Sequence, residues 1–282
     1  MEKALPFKTA LVHAIGGFLR PFTERISYVT RSGMASGLRR SGGLGFLSRP
    51  ISDEEKFYQS LDLAGKVVYD VGSYEGIFSL FAARAVGPMG ALVIFEPNPE
   101  SFRRTQRNLA LNAFPCSITM RDVALGASSR SDTMWCPSHE PARSTLSRDI
   151  AFQCSGDGEH GEERHVQVER LDDMVATGLP IPHFIKIDTE GLEYEVLLGA
   201  EQTLRHYAPD LFIEMHGTTH EHWLLNRKNV QELLMDCGYS VFDMYRKPLA
   251  LTDSASHLYC NCQGAGKQSI EPPPLQEAVA GS

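Results

Sequence analysis

The chain has 282 residues, 42% of them hydrophobic and 22% charged, with a net charge of −8. This is globular composition with material for a substantial core. It contains no apolar run of about eighteen residues that would span a membrane, and its acidity argues against nucleic acid as a partner. The six cysteines are scattered and make no disulfide framework, so reduced thiols and a cytoplasmic setting are expected. Cys260-x-Cys262 has no second pair to complete a zinc site.

Charge is uneven along the chain. Residues 1–50 carry a local +6, leaving −14 for the remainder. A basic leader of this kind could make a peripheral contact with an anionic membrane surface, although a solvated lead-in is the simpler reading. The apolar patch Leu11 to Phe18 is broken by His13 and two glycines and lacks a small-residue cleavage site, so no secretory signal is expected. Arg31 to Pro50 is rich in glycine and serine and reads as a flexible connector. Residues 263–282, with three consecutive prolines, read as a disordered tail. Between these ends, residues 51–262 form the expected domain.

Within it, short β-branched runs alternate with helical patterns. Lys66–Val71, Ala91–Phe95, Ser117–Asp122, Phe184–Asp188 and Leu211–Met215 read as strands. Gly76–Val86, Glu100–Asn112, Leu192–His206 and Asn226–Cys237 read as helices between and after them. Tyr239–Tyr245 and His257–Cys262 read as an antiparallel C-terminal hairpin. Continuous apolar strands separated by amphipathic helices imply a doubly wound α/β fold with a mostly parallel sheet. Residues 123–182 interrupt the rhythm and read as an irregular insertion that shapes a substrate pocket.

Ligands of such sheets bind beyond the carboxyl ends of the strands. After the first strand comes Asp70-Val-Gly72-Ser73-Tyr74-Glu-Gly76, where glycine permits a tight turn but the dinucleotide pattern Gly-x-Gly-x-x-Gly is absent. The second strand runs into Glu96-Pro97-Asn98, an acidic position suited to a ribose diol. Asp122-Val123 follows the third strand. Lys186-Ile-Asp188-Thr-Glu190-Gly-Leu-Glu193 follows the fourth, and Glu214-Met-His216 closes the fifth. Lys186 shares a strand face with Asp188 and is expected to pair with a neighbouring carboxylate. Glu214, His216, His220 and His222 have ligand chemistry, but the spacing alone specifies no coordination geometry, and no metal is expected.

The strings DVGSYEG, FEPNP, ALG, LDD, KIDTEGLE and FIE, spread from Lys66 to His216, resemble the FkbM-type S-adenosylmethionine-dependent methyltransferases. FEPNP and KIDTEGLE are the specific parts. Ser73-Tyr74 departs from the Ala-Asn of the family pattern. The resemblance implies a Rossmann-like class I methyltransferase sheet and S-adenosyl-L-methionine as methyl donor. It also implies O-methylation of a hydroxyl on a sugar, glycan or secondary metabolite. The positions matching the donor pocket are Asp70, Gly72, Gly76, Glu96 and Asp122, with Ser73, Tyr74, Pro97 and Val123 beside them. Asp188 and His216 are the candidate bases, and Glu190 a group that orients the acceptor. A nicotinamide-dependent oxidoreductase and a non-catalytic binding protein on the same fold are the alternatives.

Overall fold

The computed structural model describes residues 26–137, 144–146, 161–217, 219–250 and 255–262. The expected C-terminal tail, the Leu11–Phe18 patch and Cys154 lie outside these residues. The glycine-rich stretch expected to be a flexible connector is folded. Ser27–Val29 (β1) pairs antiparallel with Arg39–Ser41 (β2), and Met34 and Ala35 between them are buried in the core. Helix Asp53–Gln59 (α1) follows. Ser52 accepts from the Glu55 N–H and Glu55 accepts from the Ser52 N–H, closing both ends of a capping box. Phe57 and Tyr58 on this helix pack against Phe212 of the sheet.

The parallel strands are Val67–Val71 (β3), Ala91–Phe95 (β4) and Ser117–Arg121 (β5), linked by Ile77–Ala85 (α2) and Pro99–Ala110 (α3). Asn98 caps α3, accepting from Glu100 and Ser101 N–H, and Pro99 takes the first helical position, where no N–H is missed. Phe184–Ile187 (β9) and Asp210–Glu214 (β10) continue the sheet on the other side of β3. Ser240–Phe242 (β11) and His257–Asn261 (β12) pair antiparallel as expected, with β12 inserted between β11 and β10. The order is β11-β12-β10-β9-β3-β4-β5, so strand order reverses between β3 and β9. Alternation sorts the side chains. Tyr69, Val71, Val93, Phe95, Ile185, Ile187, Leu211 and Ile213 fill one face, and Val68, Leu92, Ile94, Phe184 and Phe212 fill the other. The class is doubly wound α/β with one antiparallel strand.

Three expectations change. The described part of residues 123–182 is largely regular: Ala124–Leu125 (β6), Arg130–Pro137 (β7) and Gly161–Glu169 (β8) form a second sheet, followed by helix Leu171–Ala176 (α4). Its small core of Met134, Cys136 and Val166 lies on strands that also carry Arg130, Asp132, Glu162, Glu163 and Arg164, which hides it in a composition average. The expected helix 192–206 is two, Glu193–Leu198 (α5) and Glu201–Tyr207 (α6). They part at Gly199, where a Cβ would lie 2.1 Å from the Gly126 carbonyl oxygen, and Asp172 caps the second by accepting from Gln202 and Thr203 N–H. The last helix, His220–Asp236 (α7), starts six residues early because Thr219 caps it, so His220 and His222 are helical.

The turn after β3 tests how tightly this frame is set. Gly72 has φ +82°, and a Cβ there would stand 1.9 Å from the Asp188 carbonyl oxygen. Gly87 also has positive φ (+64°) but open space around it. Gly87→Ala is expected to cost only the left-handed penalty of about 1–2 kcal/mol. Gly72→Ala should cost several kcal/mol more, read as the difference between their urea-unfolding midpoints; equal losses would refute the close approach.

Candidate active site

A cavity opens at the carboxyl edge of β3, β4 and β9, the place where open α/β sheets bind their ligands. Val71, Gly72, Tyr74, Phe95, Glu96 and Pro97 form its floor and one wall, and Val123, Ala124 and Leu125 another. Asp188, Thr189 and Glu190 rise opposite, while Met134, Ser144, Thr145 and Leu146 cover it. The cover is tied to both sides: Asn98 Nδ2 donates to Ser144 Oγ at 2.8 Å, and Thr145 Oγ1 donates to the Glu190 carbonyl at 2.9 Å.

Glu96 is buried where β4 ends. One oxygen accepts the Asn98 N–H at 2.9 Å, which leaves it acceptor capacity, and the other accepts the Tyr74 N–H at 2.8 Å with only a long 3.5 Å contact from Ser73 Oγ competing for its second lone pair. Burial pushes its carboxyl up to about 7, against the pull of those two N–H donors. Tyr74 holds φ +48°, a left-handed backbone in which asparagine is at ease and tyrosine is strained. The departure from Ala-Asn therefore falls on a conformationally demanding position. Gly76 lies against Thr105, behind the turn. Ser73 turns its hydroxyl to Thr105, 3.2 Å away, and to Glu96, so it supports the wall from behind.

Two expected donor residues are corrected. Asp70 is fully buried and points to the opposite face of the sheet, because strand alternation groups it with Val68. There Ser79 Oγ donates to it, and Lys186, its register partner across β9, lies 3.8 Å away. Burial raises its pKa, with Lys186 opposing. Asp122 is exposed at the end of β5 and does not line the cavity, whereas Val123 does.

On the other side, Lys186 donates to Asp188 Oδ2 at 2.9 Å and to the Gly72 carbonyl at 3.1 Å. Burial alone would lower the lysine pKa, but Asp188 and Asp70 raise it above the ordinary value. Asp188 itself, despite burial, is held below the usual carboxylate range by Lys186 and His216. His216 Nδ1 lies 3.1 Å from Glu193, whose carboxylate is fully buried and also accepts Gly191 N–H and Asn226 Nδ2. His216 Nε2 stands 3.8 Å from each of Asp188, Glu190 and Glu214. Burial would lower the imidazole pKa, but the Glu193 hydrogen bond and the surrounding carboxylates raise it to about 10. These contacts favour the imidazolium form of His216. Glu190 has φ +51° and lines the cavity; burial pushes its carboxyl up to about 7, with His216 opposing. Glu193, Asn226, Ser144 and Thr145 were not singled out from the sequence. Glu193 reads there as a helix-start charge, and the others carry no motif.

The family model described as "Methyltransferase FkbM domain" matches residues 70–241. The chain belongs to the FkbM methyltransferase family. This sets aside the nicotinamide alternative. "Methyltransferase 1" of Beauveria bassiana (strain ARSEF 2860) is 30% identical over 146 residues, covering 48% of this FkbM chain and 58% of the relative. The match thus spans less than two thirds of that relative's own length. "Methyltransferase sdnD" of Sordaria araneosa is 26% identical over 196 residues, 62% of this chain and 73% of the relative. Among solved structures, Methyltransferase FkbM from Methylobacillus flagellatus KT aligns with a TM-score of 0.45 at 19% identity, covering 72% of this chain and 45% of that one. Asp188, Glu214 and His216 of the FkbM chain also bring one potential ligand atom each within 4.8 Å of one another.

Lys186 is the cation that permits Asp70 and Asp188 to coexist. Removing one partner of a buried ion pair leaves uncompensated charge and costs about 3–5 kcal/mol. Lys186→Met is expected to lose that much in urea unfolding at neutral pH; a loss under 1 kcal/mol would show that the carboxylates do not depend on it.

Proposed function

We propose that this FkbM chain transfers a methyl group from S-adenosyl-L-methionine to a hydroxyl of a small-molecule, sugar or glycan acceptor. The observation that carries the reading is the placement of Glu96: buried, oriented by two backbone N–H groups, with acceptor capacity left at the end of the second parallel strand. That geometry suits two hydrogen bonds from a ribose diol. Val71, Phe95, Pro97, Val123 and Leu125 give apolar walls for a base, and Asp188 and Glu190 give negative charge opposite for a cationic centre. When bound, the donor supplies a methyl group already activated on a positively charged sulfur.

The protein's part is then alignment, exclusion of water and proton removal. Alignment can lower such a barrier by roughly 7–11 kcal/mol. Among the candidate bases, Asp188 is engaged by Lys186 and His216 is already protonated. Glu190, which lines the cavity and has the His216 imidazole 3.8 Å from its side chain, is the group we assign to receive the acceptor proton. Asp188 and His216 then orient and polarise that carboxylate.

Titration calorimetry of the full chain with S-adenosylhomocysteine tests the donor site. Binding is expected, and Glu96→Ala should weaken it at least tenfold; an unchanged affinity would remove Glu96 from the site. The base assignment has a pH signature. Glu190 accepts a proton only when ionised, so turnover at saturating donor should rise with pH through a midpoint at or below about 7, the donor's charge pulling it down. Glu190→Gln should be slower by about 10²–10⁴ and lose that rise, as followed by labelled-methyl transfer to an acceptor panel. A variant that keeps the wild-type pH profile would overturn the role.

A further inference from the structure

Glu75 sits within the turn from Gly72 to Gly76, yet its carboxylate points away from the cavity into a pair of buried cations. Arg40 Nη2 lies 2.5 Å from one oxygen, and Arg104 Nη1 lies 3.3 Å from the other. The two guanidinium side chains are 8% and 5% exposed. Arg40 comes from β2, in the N-terminal hairpin that precedes the family match, and Arg104 from α3. Contacts around this centre converge on the same turn. Ser41 N–H and Oγ donate to Asn108 Oδ1 at 2.8 and 3.1 Å, and Asn108 Nδ2 donates to the Glu75 carbonyl at 3.2 Å. Thr105 Oγ1 donates to the Tyr74 carbonyl at 3.2 Å.

The glycine-rich loop after β2 has a role in this arrangement. It wraps closely over Arg40: a Cβ at Gly43 would lie 2.6 Å from Nη2. Tyr28 fastens the loop, bonding to the Gly42 carbonyl and accepting the Gly45 N–H at 3.0 Å. The hairpin thus delivers one buried positive charge to the back of a turn whose front carries the Tyr74 N–H that orients Glu96.

We propose that Arg40 is a positioning residue of the donor site: its ion pair with Glu75 locks the turn 72–76 in the conformation that presents Tyr74 N–H to Glu96. A left-handed tyrosine is held only where its surroundings over-determine it. Without Arg40 the turn keeps only its contacts with Arg104, Asn108 and Thr105, the ligand must supply the rest of the ordering, and affinity falls by that cost. Arg49 is paired with Glu55, and the Arg31 side chain is exposed, so neither substitutes for it. This inference rests on the reading of the cavity as an S-adenosyl site.

The test is the calorimetric affinity of the full chain for S-adenosylhomocysteine, with thermal unfolding recorded for each variant. Arg40→Gln is expected to bind about tenfold more weakly, Arg40→Lys to recover most of that loss, and the exposed-site control Arg31→Gln to match wild type. Because Arg40 acts through Glu75, adding Arg40→Gln to Glu75→Gln should change affinity by less than about twofold, the non-additivity expected of a coupled pair. A merely structural role would lower the unfolding temperature and leave the losses additive. Wild-type affinity in Arg40→Gln, or additive losses in the double variant, would overturn the proposal while leaving the donor reading intact. If Arg40→Gln does not fold, Arg40→Lys and Glu75→Gln decide it: equal affinity to wild type in both would overturn it. Wild-type protein that fails to bind S-adenosylhomocysteine would overturn both readings together.

Discussion

The organisation of the site depends on one buried amine. Lys186 lies on β9 directly across from Asp70 on β3, at the place where the sheet reverses direction. It donates to Asp188 and to the Gly72 carbonyl, so it joins the adjacent loops that leave β9 and β3. Moving three ions from water into an interior is costly, and is offset only when opposite charges lie close and the remaining polar atoms are bonded. Here Ser79 satisfies one oxygen of Asp70 and Lys186 stands near the other. The close approach of Gly72 to the Asp188 backbone follows from the same constraint, since the loops cannot separate without unpairing the lysine.

The second ordering centre is Glu193. Its carboxylate takes hydrogen bonds from Gly191, Asn226 and His216, which join α5, α7 and the loop after β10. That bond fixes the imidazole through Nδ1 and aims Nε2 at three carboxylates at equal distance. The histidine therefore works as a fixed cation among acids. It makes the proximity of Asp188, Glu190 and Glu214 tolerable, and Glu190, which lines the cavity with Asp188, has its carboxyl pushed up to about 7. Base strength at this edge is an outcome of the whole charge set, because each carboxylate raises its neighbours and the two cations lower them.

Much of the architecture was legible in the sequence because its parallel strands are apolar on both faces, and such runs stand out. Asp70, Glu96 and Asp188 were placed at strand ends from these runs alone. What spacing could not give was the face. Asp70 and Val71 are adjacent, yet alternation sends one to α2 and the other to the cavity, and the turn geometry that decides it is a property of Gly72 and its neighbour across the sheet. Asp122 was expected in the donor pocket for a related reason, but the strand ends one residue earlier and leaves its side chain exposed. The hairpin at 27–41 escaped because glycine and serine average out as flexibility. Arg39, Arg40 and Arg49, which read as a basic leader, bond instead to Ser27, Glu75 and Glu55. The histidine's charge could not be read at all, since it comes from residues 23 to 28 positions away in the chain.

These features give the cavity a definite response to a cation. Glu96 and Glu190 both line the cavity, and burial pushes the carboxyl of each up to about 7. A positively charged ligand favours the ionised form of both, so its binding releases protons, and by linkage its affinity rises with pH across that range. On the proposed reading the ligand and the carboxylates prepare each other: a cation bound beside Glu190 would also keep Glu190 ionised and able to accept a proton. A neutral nucleoside would occupy the same walls without that coupling. Recognition of charge and readiness for proton transfer are, in this geometry, consequences of the same buried acids.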